Sequence, residues 1–333
     1  MRRVGITTTV PSEVIFAAGA APVDLNNLFV GDFKRSTYIE DAEVAGFPRT
    51  TCAWIKGMYA ACLDHGVGEV IAVTQGDCSN THVLMEIYRM RGVRSIPFNF
   101  PYGRDREMMA RQMALLCEHF GVTQEAAERW RERLNAIRAR LWEIDRMTWE
   151  DNTVTGDENN LWLVSASDFD GEPEAFERRA EEFIARARER KPLEHPLRLA
   201  YIGVPPAIEG LYQFAEERGA RVVFNETQRQ FAMPLGGATL EEQYLRYTYP
   251  YDIGPRIEDI RREIERRRID GVIHYVQSFC HRQMEDLIFR ERLGLPVLTV
   301  EGDAPRELDA RTKIRLESFI EMLAARKGAA PWA

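Results

Sequence analysis

Val70-Ile71-Ala72-Val73-Thr74-Gln75-Gly76-Asp77-Cys78 and Val272-Ile273-His274-Tyr275-Val276-Gln277-Ser278-Phe279-Cys280 follow one pattern, some 200 residues apart. Each is a short, β-branched apolar run that ends in Gln-x-x-Cys, as a buried strand leading into a turn would. A helical segment follows each, and a glycine stands 14 residues after each cysteine, at Gly92 and Gly294. Buried strands alternating with helices predict parallel sheets. The matched order of strand, Gln, Cys, helix and Gly predicts an α/β fold of two flavodoxin-like or Rossmann-like halves. These would be an internal duplication, with Cys78 and Cys280 at equivalent strand ends.

Working outward from the first copy, Val4–Thr8 and Glu69–Thr74 read as strands, and Ser12–Ala18, Ala53–His65 and Thr81–Met90 as helices. Around the second copy, Leu199–Val204, Arg221–Phe224, Gly271–Val276 and Pro296–Val300 read as strands. Ala207–Glu217, Pro255–Arg268, Met284–Arg292 and Thr312–Ala325 read as helices. Between the halves the chain is almost all helical. Trp130, Leu134, Ile137, Leu141 and Ile144 form one apolar stripe among many Arg and Glu, which predicts a packed helix with a solvated charged face. Asp151–Asn160, polar and containing Gly156, reads as a loop, and Lys191-Pro192 and His195-Pro196 mark the exit. The expected organisation is therefore an α/β domain over 1–104, a helical subdomain over 105–195 and a second α/β domain over 196–333.

A chain of 333 residues with 45% hydrophobic and 29% charged residues can bury a sizeable core without a disulfide or metal staple. The net charge of −8 excludes the basic face that nucleic-acid binding requires and disfavours an acidic membrane surface. The apolar stretch Val14–Val23 is half a bilayer span and holds Gly19 and Pro22, so no transmembrane helix is expected. Pro11 and Glu13 stand where the apolar run of a signal peptide should begin, and the expected location is the cytoplasm.

Five cysteines, an odd number in a reducing compartment, direct attention to metal or redox chemistry. Cys78 and Cys280 lie beyond the carboxyl ends of predicted strands, where open parallel sheets bind ligands, and each precedes a helix. Cys52 opens the helix Ala53–His65, with Thr50 and Thr51 available as caps. Helix N-termini stabilise thiolate, the form that binds soft metals and iron–sulfur clusters. Cys62 and Cys117 sit among Ala and Leu and read as small core residues. No CxxC is present, so neither a zinc ribbon nor a thioredoxin-like dithiol is indicated; a Cys₃ zinc site stays open.

These residues carry a family resemblance. The chain resembles the 2-hydroxyacyl-CoA dehydratases, a family that also includes benzoyl-CoA reductase subunits and double-cubane cluster proteins. The resemblance rests on Thr7-Thr8-Thr9-Val10-Pro11-Ser12-Glu13-Val14, Cys52-Ala53-Trp54-Ile55-Lys56-Gly57, Gln75-Gly76-Asp77-Cys78 and Asp270-Gly271-Val272-Ile273. It continues through Ser278-Phe279-Cys280, Pro296-Val297-Leu298, Glu301-Gly302-Asp303 and Arg311-Thr312-Lys313-Ile314. It implies a 4Fe–4S cluster held by Cys52, Cys78 and Cys280 between two α/β halves, with one iron left without a protein ligand. It further implies an electron received from an ATP-hydrolysing activator protein, and dehydration of a 2-hydroxyacyl-CoA through a ketyl radical. The partner subunit would be a paralogue in a heterodimer. The alternatives are a double-cubane cluster shared across a homodimer that reduces a small molecule, or a non-catalytic electron-transfer or assembly partner. The chain is short for the family and shows no Gly-rich phosphate loop or basic patch for the nucleotide of an acyl-CoA.

Further candidates carry two readings each. His281 could hydrogen-bond a cluster sulfide or simply face solvent at a helix start, and His274 inside a strand reads as a satisfied core residue. Asp77 and Ser79 read first as helix caps. Lys56, one turn from Cys52, could offset cluster charge or lie on the surface. Glu301 and Asp303 could be acid/base groups or loop caps, and Tyr247–Tyr251 could line a pocket or pack on a loop.

Overall fold

The computed structural model describes residues 1–328. The chain divides into two compact units. Unit 1 comprises Met1–Arg140, Ser165–Ala180 and Gln230–Asp252; unit 2 comprises Leu141–Val164, Glu181–Arg229 and the chain from Ile253 onward. Among the described residues no helix is long and apolar enough to cross a membrane.

In unit 1, β1 (Arg2–Ile6), β2 (Ala20–Asp24), β3 (Glu69–Gln75) and β4 (Arg94–Asn99) form a parallel sheet in the order β2-β1-β3-β4. The side chains of β3 alternate between two cores. Val70 packs with Phe29, Tyr59, Leu84 and Tyr88 on one face, and Ile71 and Val73 with Phe98, Phe100, Met109 and Tyr244 on the other. A central strand covered on both faces must be apolar throughout, which is why this run lacks the polar alternation of a half-exposed strand.

Unit 2 contains β5 (Leu197–Gly203), β6 (Ile208–Glu209), β7 (Ala220–Asn225), β8 (Gly271–Gln277), β9 (Val297–Gly302) and β10 (Arg306–Glu307). Its parallel sheet runs β7-β5-β8-β9, and β6 pairs with β10 separately. Setting that short pair aside, both sheets share one topology, with the second strand beside the first and the third and fourth on the other side. The expectation of two parallel-sheet α/β halves therefore holds. Cys78 and Cys280 follow the same strand of each, the third, as a duplication requires.

Three local expectations are corrected. Gly156–Val164 is a helix, so the segment expected as a loop, Asp151–Asn160, turns helical from Gly156 onward. Its start is a capping box: Glu158 N donates to Thr155 Oγ1 at 3.1 Å while Glu158 Oε2 accepts from Thr155 N at 3.0 Å. Glycine stands at 156 because a Cβ there would lie 2.6 Å from the Val222 carbonyl oxygen. Ala207–Glu217 is not one helix; β6 comes first, Gly210 turns at φ 82°, and the helix is Leu211–Glu216. The charged face of the central helices is not wholly solvated either. Arg138 is buried, and its Nη1 pairs with buried Glu13 at 2.8 Å. The helical stretch over 105–195 is apportioned between the two units, which divide it at Arg140, Val164 and Ala180.

Candidate functional site

At the carboxyl edge of the unit 1 sheet, the turn after β3 carries Gly76, Asp77 and Cys78. Gly76 has φ +98°, and a Cβ there would sit 2.6 Å from the Pro250 carbonyl oxygen and 2.7 Å from Phe100 Cβ. Only glycine suits both the left-handed backbone and that contact. Tyr247–Tyr251 is a packed strap: Phe100 meets the rings of Tyr244, Tyr247 and Tyr251 at 5.7–6.5 Å, and Pro250 covers the Gly76 turn.

Cys52 is the N-cap residue of helix Ala53–Asp64, and its carbonyl accepts from Ile55 N and Lys56 N at 3.1 and 3.2 Å. The N-cap position is held by Cys52 itself, without a side-chain cap bond, rather than by a threonine. Cys78 lies half-buried ahead of helix Asn80–Met90, and its carbonyl accepts from Thr81 N at 3.1 Å. Both cysteines pack on the same apolar cluster of unit 1, beside Phe29, Tyr59 and Leu84. Cys280 belongs to unit 2. It is half-buried, its N–H donates to Gln277 O at 3.1 Å, and its carbonyl accepts from Gln283 N as a 3₁₀ turn begins. All three thiols therefore stand at a helical start. Phe279, the residue before Cys280, has φ +63°, a costly conformation for an aromatic residue.

Cys62 and Cys117 are buried in unit 1. Burial pushes the Cys62 thiol up to about 12 and also raises that of Cys117. Cys52 and Cys78 stand in unit 1 and Cys280 in unit 2, and each is a soft thiol ligand by type. Thiol donors of this type suit an iron–sulfur cluster.

The neighbours resolve as follows. Lys56 is buried, not a surface lysine, and Nζ pairs with Glu43 at 2.9 Å and donates to Arg49 O at 3.3 Å. That hydrogen bond holds the Glu43 carboxyl below its usual range. His274 is buried with Nδ1 2.8 Å from Asp286, a satisfied core histidine. His281 is exposed on the 3₁₀ turn. Ser79 occupies the N-cap position of its helix without a side-chain cap bond. Glu301 accepts from Ser278 Oγ at 2.9 Å, and the Asp303 carbonyl accepts from Gln277 Nε2 at 2.7 Å, so both brace the Gln277–Cys280 turn.

Two groups were not anticipated from sequence. Asp24, at the end of β2, donates its N–H to Asp168 Oδ2 at 2.7 Å, and both carboxyls are buried. Burial and the adjacent Asp24 raise Asp168 to about 8. Asp32, Asp64 and His65 bring ligand atoms within 4.8 Å of one another. Those atoms are already committed: His65 Nε2 to Asp32 at 2.8 Å, Tyr38 Oη to both aspartates, and Lys34 Nζ to Asp64 at 2.9 Å. Residues 144 and 33 apart in sequence pair here, and no short motif announces such pairs.

Two parallel sheets of one topology, each leading from its third strand into Gln-x-x-Cys, define a duplicated α/β protein with a thiol beyond the carboxyl end of each third strand. The family model described as 2-hydroxyglutaryl-CoA dehydratase, D-component, matches residues 7–323, and the chain belongs to that family. No curated protein matches the chain.

Proposed function

We propose that this chain is the cluster-bearing subunit of a 2-hydroxyacyl-CoA dehydratase, with Cys52, Cys78 and Cys280 holding a 4Fe–4S cluster. The observation that carries the reading is the Gln-x-x-Cys turn repeated after equivalent strands, β3 and β8, in a chain of the dehydratase family. Held by Cys52, Cys78 and Cys280, such a cluster would supply one-electron reduction of the acyl-CoA thioester. The protein's own contribution is electrostatic and positional. Helix-start N–H groups favour the thiolate form, the Gly76 turn places Cys78 at the sheet edge, and the Glu301 and Asp303 contacts hold the Cys280 turn. The partners of this reading are an ATP-hydrolysing activator that delivers the electron and a paralogous second subunit, in a reducing cytoplasm.

The test is iron and sulfide analysis with EPR on protein purified without oxygen. Iron and sulfide should be present in the parent, lost in Cys52→Ala, Cys78→Ala and Cys280→Ala, and retained in Cys117→Ala. Colourless, iron-free parent protein, or zinc in its place, overturns the reading.

A further inference from the structure

Unit 1 holds an open cavity of about 370 Å³, a volume suited to a small organic ligand. Two helices and a loop wall it. Ile55 and Tyr59, one turn apart, line it from helix Ala53–Asp64, and Val83 and Ile87 from helix Asn80–Met90. Residues 45–48 close a third side. The floor is firm, because Ile55 and Tyr59 are buried in the apolar cluster that also holds Cys52. The mouth is not covered: Val83 is 59% exposed and Met90, also on the wall, 82%. Apolar side chains scattered singly on a surface need no explanation, but grouped around a concavity they mark a ligand groove.

One charge stands on these described walls. Arg91 is exposed at the carboxyl end of helix Asn80–Met90, and its side chain makes no ion pair among the described residues. Asn80, at the opposite end of that helix, lines the cavity too. The 11 residues of the helix span about 16 Å, so the apolar wall runs that far from Asn80 to the cation. A polar ligand would find few partners along it and would lose its hydration unrepaid. An apolar chain with an anionic head matches both features. We propose that this cavity binds a medium-chain carboxylic acid, its tail along Ile55, Val83 and Ile87 and its carboxylate at Arg91. The head then lies a helix length from the Cys78 turn, so this ligand is not the reacting thioester, and the inference stands apart from the dehydratase reading.

Calorimetry on the full chain with octanoate tests it. Octanoate should bind saturably, and butyrate, four methylenes shorter, about 10- to 100-fold more weakly. Octylamine, with the same tail and the opposite head, should bind about 10-fold more weakly than octanoate. Val83 and Arg91 are both exposed, so replacing either leaves the fold intact. Val83→Glu sets a carboxylate in the apolar wall and should weaken octanoate at least about 10-fold. Arg91→Gln should weaken it about 3- to 10-fold and remove the preference over octylamine. Absence of saturable octanoate binding, Val83→Glu within about twofold of the parent, or a head preference that survives Arg91→Gln overturns the proposal. Octanoyl-CoA binding more than about 10-fold tighter than octanoate, and losing that affinity in Val83→Glu, would also overturn it by putting a thioester in place of the free acid. The measurement needs no cluster, so iron-free protein that binds octanoate keeps this inference while the dehydratase reading falls, and iron-bearing protein that does not bind it does the reverse.

Discussion

Substituting Gly76 by alanine tests whether the Tyr247–Tyr251 strap and the Cys78 turn form one packed unit. Two costs combine. A left-handed backbone at φ +98° costs a non-glycine residue about 1–2 kcal/mol. The new methyl would also press on the Pro250 carbonyl at 2.6 Å and on Phe100 Cβ at 2.7 Å, both backbone or backbone-proximal atoms that cannot swing aside. Overpacking of that kind costs about 1–3 kcal/mol. The expected loss is therefore about 2–5 kcal/mol, on the order of 10 °C in melting temperature for a domain of about 150–250 residues. Gly68→Ala is the control: nothing lies within 4 Å of its Cβ position, and its effect should fall within about 1 kcal/mol, on the stabilising side. Urea denaturation followed by tryptophan fluorescence gives both values. If Gly76→Ala costs less than about 1 kcal/mol, the strap does not bear on the turn and its role in placing Cys78 is wrong.

Three further outcomes follow from the same contacts. In metal-free protein at pH 8, iodoacetamide should label Cys78 and Cys280 and spare Cys62, whose thiol is pushed up to about 12; comparable labelling of Cys62 by mass spectrometry would show that its burial is misjudged. Asp168, raised to about 8 from an unfolded value near 3.9, favours the folded state most at low pH, so its contribution declines as pH rises from about 4 to 8. Asp168→Asn should flatten that decline in the denaturation midpoint, and an unchanged profile would count against it. Arg267, fully buried, donates to both oxygens of Asp145 at 2.5 and 2.9 Å and to Glu263 at 2.7 Å; Arg267→Met should cost about 3–5 kcal/mol, and a loss under 1 kcal/mol would mean the network relaxes without it.

The parts read correctly from sequence are those whose signal is local. The apolar runs Val70–Val73 and Val272–Val276 are central strands covered on both faces, so burial writes itself into consecutive residues. The edge strands Ala20–Asp24 and Arg94–Asn99 were missed: the first carries Pro22, and the second mixes Arg94, Ser95 and Pro97 with two apolar residues, because an edge strand need not be apolar throughout. The Thr155-x-x-Glu158 capping box is a local helix signal set in a polar stretch around Gly156 that otherwise has the composition of a loop. Lys56 illustrates the opposite limit. Nothing near it in sequence marks it as buried, because its counter-charge, Glu43, comes from a different helix.

Sequence alone determined the duplicated α/β class, the strand-to-cysteine turns and the family, since period, run length and ordered motifs are properties of neighbouring residues. Only the folded chain decided that β3 and β8 are equivalent third strands, that Cys52 and Cys78 share one cluster of side chains, and that helices Ala53–Asp64 and Asn80–Met90 wall an apolar cavity with Arg91 on its edge. Strand order and the packing of loops on one another join residues far apart in the chain. Their energies depend on which surfaces meet, and no local pattern records that.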